Sequence, residues 1–175
     1  MKLAFNLGQK NRSRGIRYIY YIIAALLLSV FNILILDFIA VGTFTPDFIL
    51  ILCVWIALTE GQFVGIFAGF ICGLLFDVIS HDVIGTNALA KTVVGFVAGW
   101  FYRENKANLI IGSYRFIIIV FVCAMVHNLI YSIFYIKGTD ISIVPFFLKN
   151  GLASSLYTTV FAVIAMLFKI PRKGL

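Results

Sequence analysis

Long apolar runs broken by short polar turns organise this chain. Six runs stand out, at roughly 18–36, 46–60, 62–80, 87–102, 112–135 and 152–168. They are near-continuous rather than alternating, and most are too long for strands, so they predict helices. A ~30 Å hydrocarbon layer takes about 20 helical residues. The run 62–80 is long enough, whereas 46–60 and 87–102 are short. The segment Pro46 to Leu58 would rise only ~20 Å. It must therefore be re-entrant, lie against a thinned bilayer, or extend into Thr59 and Glu60. The pattern predicts an all-α integral membrane protein, a bundle of six transmembrane helices forming a single transmembrane domain over 1–175.

The run from Gln62 to Ser80 is the most informative. Gly65, Gly69 and Gly73 recur every four residues, and Asp77 is the next step on the same face. Repeated glycine costs helix propensity. In a membrane the usual return is close approach of another helix backbone. Gly95 and Gly99 repeat the device one run later. A carboxylate at membrane depth faces protein or water rather than lipid. Asp77 reads either as a satisfied polar residue ending a packing seam or as a group that moves a proton or ion.

The polar interruptions add detail. In Thr45-Pro46-Asp47, Thr45 can cap a helix, Pro46 suits the first helical position and Asp47 meets the positive helix end. Ser80 to Thr86 is a polar turn containing Gly85, and Asn87 and Lys91 follow in the next helix. Asp77 and Lys91 have similar expected depth, so Asp77 is expected to approach either Lys91 or the amides of that turn. The run Leu109 to Tyr135 contains Arg115, His127 and Asn128. His127 and Asn128 read as interhelical hydrogen-bonding residues, and Arg115 is close enough to a surface to snorkel. Lys149-Asn150-Gly151 interrupts the last apolar stretch, which leaves Ile143 to Leu148 to lie in the interface.

Composition agrees with this pattern. Of 175 residues, 62% are hydrophobic and 12% charged, against ~25% charged in soluble chains. The net charge of +7 could suggest nucleic acid, but eleven of the fourteen Lys and Arg lie at the two ends and between Arg103 and Arg115. That is the distribution of cytoplasmic loops, and it places both termini inside. Asp37, His81, Asp82, Lys137 and Asp140 then fall in outer connections. The inner connection Glu60 to Gln62 alone lacks a basic residue. Cys53, Cys72 and Cys123 are isolated within apolar runs and read as buried hydrophobes.

The chain carries no HExxH, GxSxG or GxxxxGK[ST] pattern. Ser113 and His127 are separated by ~21 Å along one helix and cannot form a dyad there. His81-Asp82 is too sparse for a metal site. Residue chemistry therefore predicts no catalytic site, no metal and no cofactor.

Pro46-Asp47-Phe48, then Gly65, Gly69-Phe70, Gly73-Leu74 and Asp77, then Gly85-Thr86-Asn87-Ala88-Leu89 together resemble the MreD family of rod shape-determining membrane proteins. The resemblance is clear from Pro46 to Gly99 and general outside it. One departure is Lys91, where the family usually has an apolar residue. The resemblance implies a fold similar to the S-components of energy-coupling-factor vitamin transporters. It also implies a non-catalytic scaffold in the bacterial cytoplasmic membrane. The partners it implies are a single-span MreC-like protein and, indirectly, the glycosyltransferase RodA, a class B penicillin-binding protein and actin-like MreB, with lipids around it and no nucleic acid. A vitamin-binding S-component is the alternative.

Overall fold

A computed structural model describes residues 15–32, 45–80, 83–104, 106–136 and 142–167. All regular structure among these is helical: α1 (Gly15–Asn32), α2 (Phe48–Glu60), α3 (Gln62–Ser80), α4 (Thr86–Gly99), α5 (Ala107–Ile111), α6 (Tyr114–Tyr135), α7 (Ile143–Phe146) and α8 (Leu152–Leu167). A π-helical turn, Phe147–Gly151, joins α7 to α8, so Ile143–Leu167 is one helical stretch of 25 residues. Lys149-Asn150-Gly151 thus loosens this helix without breaking it. Asp37, His81, Asp82, Lys137 and Asp140, expected in outer connections, and the far basic ends of the chain lie outside the described residues.

Four of these helices, Gly15–Asn32, Gln62–Ser80, Tyr114–Tyr135 and Ile143–Leu167, are long and apolar enough to cross a membrane. Their outward side chains, such as Phe67 and Phe70 on α3, Ile118 and Ile133 on α6 and Val160 on α8, are large, apolar and exposed, as a lipid-facing surface requires. The other two apolar runs form helices of only 13 and 14 residues.

The shortness of α2 has a structural explanation. Ile49, Leu50, Cys53, Val54, Ala57 and Leu58 are almost wholly buried, and α2 touches α3, α4, α5, α6 and α8. A helix that is apolar all round belongs inside protein. Here it is enclosed by its neighbours, the long α3, α6 and α8 among them, so its length need not match the hydrocarbon layer.

The closest packing joins α3 to α4, which run antiparallel. A Cβ added at Gly69 would strike the carbonyl group of Lys91, and one at Gly95 would strike that of Gly65. A Cβ at Gly73 would lie 2.5 Å from Cα of Ala88, and one at Gly99 2.5 Å from Cα of Gln62. A Cβ at Gly65 would lie 2.5 Å from Cβ of Ala57, so α2 crosses the same seam. All five glycines therefore face a neighbouring helix at a separation that excludes any side chain.

Arg17 of α1 pairs with Glu60 at 3.1 Å, and Tyr21 donates to the same carboxylate at 3.2 Å. The tight connection that lacks a basic residue of its own thus receives one from the first helix.

Candidate functional site

The polar chemistry of the molecule gathers at the opposite end of the bundle from Glu60. It starts at the head of α2. The expected cap there was Thr45, with Pro46 inside the helix. Instead Asp47 is the N-cap: its Oδ1 accepts from the amide of Leu50 at 2.8 Å, and the helix begins at Phe48. Pro46 lies just before the cap. The amide of Asp47 donates to Thr158 Oγ1 at 3.0 Å, and Ser154 Oγ donates to the carbonyl of Thr45 at 3.0 Å. These two bonds fasten the head of α2 to α8.

The other carboxylate oxygen, Asp47 Oδ2, lies 2.7 Å from Lys91 Nζ. Lys91 rises from the α3–α4 seam and is fully buried, the largest such side chain among the described residues. Its ammonium also donates to Asn87 Oδ1 at 3.1 Å and lies 3.3 Å from His127 Nε2. An ammonium has three donors and no acceptor, so His127 Nε2 is the acceptor in that contact. The Phe76 ring completes the surroundings, with its centroid 5.0 Å from Nζ. One cation thus ties the starts of α2 and α4 to the body of α6.

Asp77 is fully buried. Of its two expected partners, Lys91 and the turn amides, it takes the amides. It accepts from Gly85 at 2.9 Å, Asn87 at 3.1 Å and Ala88 at 3.1 Å. These are donors that the start of α4 leaves unpaired. Gly85, at φ +100°, turns the chain into α4 and has no side chain to cap it. The cap comes instead from the neighbouring helix, and a negative charge suits the positive helix end. The expected Asp77–Lys91 pair is replaced by Asp47–Lys91. The missed signal was depth: Asp47 opens one helix and Lys91 lies in the first turns of another at the same level.

Asn128, one residue beyond His127, donates to the carbonyl of Gly151 at 3.2 Å and to Ser155 Oγ at 2.9 Å. It thereby joins α6 to the π-helical turn. Ser113 caps the far end of α6 by accepting from the amide of Arg115 at 3.2 Å, remote from His127. Arg115 is exposed. Cys53, Cys72 and Cys123 are buried free thiols. No group of three His, Cys, Asp or Glu could hold a metal among the described residues.

Beside the ion-pair cluster lies a half-open cleft of about 500 Å³. Asp47, His127, Asn87 and Asn128 form its inner wall. His127, Tyr131, Tyr135 and Phe146 stack in series along another side, with centroids 6.3, 5.8 and 5.6 Å apart.

The family model for the rod shape-determining protein MreD matches residues 13–171. This chain belongs to the MreD family. The match spans every described helix, so Asp47, Asp77 and the five seam glycines all fall within it. Its apolar helices and its family make it a membrane protein of the rod-shape system. No curated protein and no solved structure matches the chain.

Proposed function

We propose that this MreD-family chain is a non-catalytic membrane scaffold of the cell-elongation machinery. It spans the bacterial cytoplasmic membrane six times with both termini inside. In this reading it holds the transmembrane helix of a single-span MreC-like partner, and through it serves RodA, a class B penicillin-binding protein and MreB in peptidoglycan synthesis.

The observation that carries the reading is how the buried charges are used. Lys91 is bound to Asp47, Asn87 and His127, and Asp77 to three amides. Lys91 thereby fastens α4 to α2 and α6, and Asp77 fastens α3 to the head of α4. Chemistry at a centre needs an acid, base or nucleophile directed at a reacting atom, and these groups are directed at each other. The repeated glycines, in turn, build rigidity into the α3–α4 pair. In the six-span topology the cluster lies at the outer end, and the Arg17–Glu60 pair at the inner.

The test is affinity capture of the tagged full-length protein from membranes of the native cell, with depletion in parallel. Recovery of a single-span MreC-like protein and rounding of depleted cells are the expected results. The alternative, a vitamin-binding S-component, has the cleft in its favour. Recovery of an ATPase-linked transport module with a vitamin in the purified sample would replace the scaffold reading by that one.

A further inference from the structure

Four asparagines from four different elements line the cleft: Asn32 of α1, Asn87 of α4, Asn128 of α6 and Asn150 of the π-helical turn. Two of them carry an unmet hydrogen-bonding atom, the acceptor Asn32 Oδ1 and the donor Asn87 Nδ2. Both side chains are buried at the cleft wall. An unpaired buried amide atom is costly, so an occupant that reaches and pairs both would be favoured. Such an occupant must donate and accept, as a hydroxyl does.

The described charges beside the cleft favour a neutral occupant. Lys91 is committed to Asp47 at 2.7 Å, and Asp77 to three helix-end amides. Among the described residues lining the cleft no free counter-charge is left to compensate an ion, since Asp47 is already paired with Lys91, and an uncompensated ion is costly. The stacked wall of Tyr131, Tyr135 and Phe146 offers an apolar surface for the C–H face of a ring. A cleft of about 500 Å³ falls in the ~300–1,000 Å³ range of small-molecule sites. A π-helical turn at its edge is a feature often found at functional positions.

We propose that this cleft binds a neutral, hydroxyl-rich sugar ring, with Asn32, Asn87 and Asn150 as its polar contacts and Tyr131, Tyr135 and Phe146 as its stacking wall. The ring can come free from solution or as the headgroup of a neutral glycolipid in the bilayer. This goes beyond the scaffold reading and is measured without any partner, so failure of one leaves the other standing.

The test uses the full chain in lipid nanodiscs. Free glucose is one probe and monoglucosyl diacylglycerol the other, with phosphatidylglycerol as the anionic reference. Retention is read by native mass spectrometry and free-sugar binding by ligand-observed NMR. The expected result is retention of glucose or its glycolipid above phosphatidylglycerol, weakened about tenfold for each of Asn32→Leu and Asn150→Leu, as loss of one hydrogen bond gives. Melting curves of both variants are recorded alongside, so that a loss of binding is separated from a loss of fold. Binding of both probes identifies the ring alone as the ligand, and binding of the glycolipid alone identifies the bilayer as its source. Equal retention by wild type and both variants, or retention of neither probe above phosphatidylglycerol, overturns the proposal. A photoreactive glucosyl lipid on the wild-type chain gives a check that needs no variant. Crosslinks at Asn32, Asn87, Tyr131, Tyr135, Phe146 or Asn150 support the site, and crosslinks confined to residues away from the cleft overturn it.

Discussion

Lys91 Nζ lies 2.7 Å from Asp47 Oδ2, across 44 residues of sequence and between the starts of two helices. The pair is stiffened from both sides. Asp47 is held by its capping bond to the amide of Leu50, and Lys91 by Asn87 and His127. Neither side chain can easily turn away when the other is lost.

Removing one partner should therefore cost much more than removing both. Asp47→Asn keeps a capping oxygen for α2 but leaves the buried ammonium without its counter-charge, a loss of about 3 kcal/mol or more. The double change Asp47→Asn/Lys91→Met should recover most of it. Denaturant titration of the four proteins in bicelles checks this, and additive losses would mean that the pair contributes no coupling.

Asp77→Ala should destabilise by unpairing three amides at the head of α4. A single cap is worth about 1 kcal/mol, and the loss here should exceed that. Combined with Lys91→Ala, the effects should couple more weakly than those of Asp47 and Lys91, because Asp77 takes its bonds from backbone. The same titration separates the two cycles. Coupling of Asp77 to Lys91 as strong as that of Asp47 would contradict the geometry.

Gly69→Leu and Gly95→Leu should both prevent accumulation of folded protein. Each new side chain would meet the backbone of the facing helix, and overpacking of this kind costs ~1–3 kcal/mol or more. Even Gly69→Ala should be harmful. Gly15→Ala is the control, since nothing lies within 4 Å of its added Cβ. Membrane levels and detergent melting curves read the difference. Normal levels of the Gly69 variant would place the seam elsewhere.

Gly85→Ala should destabilise by about 1 kcal/mol through backbone strain alone. Its φ of +100° disfavours any L side chain, although space for a methyl group is open. Gly85→Asn should be milder than Gly85→Val, because asparagine tolerates positive φ better than a β-branched residue. A stability order with Val at or above Asn would show that φ does not limit the site.

For topology, a cysteine at position 84 should react with an impermeant thiol reagent added outside, where Ile84 is exposed. A cysteine at position 106 should react only after the inner face is opened. Outside labelling at position 106 would remove the six-span arrangement.

Some of this molecule was readable from the order of its residues. The length and polarity of the apolar runs point to membrane helices, because a bilayer imposes one length and forbids unpaired backbone. The four-residue spacing of Gly65, Gly69, Gly73 and Asp77 places them on one helix face, because the helical period is local geometry. The bounds Gln62–Ser80 of α3 follow that stretch residue for residue.

Tertiary packing decided the rest. Sequence put Asp77 and Lys91 at one depth, but depth says nothing of which way each helix is turned about its axis. Only the packed bundle sets that rotation, and it gives Lys91 to Asp47 and leaves Asp77 to the amides of α4. Enclosure of the short α2 by its neighbours has the same origin, as does the meeting of Asn32, Asn87, Asn128 and Asn150 in one cleft. Periodicity is a property of neighbours within a few residues along the chain. A contact across 44 residues depends on how whole helices fill space against each other, and no short stretch of the sequence holds that information.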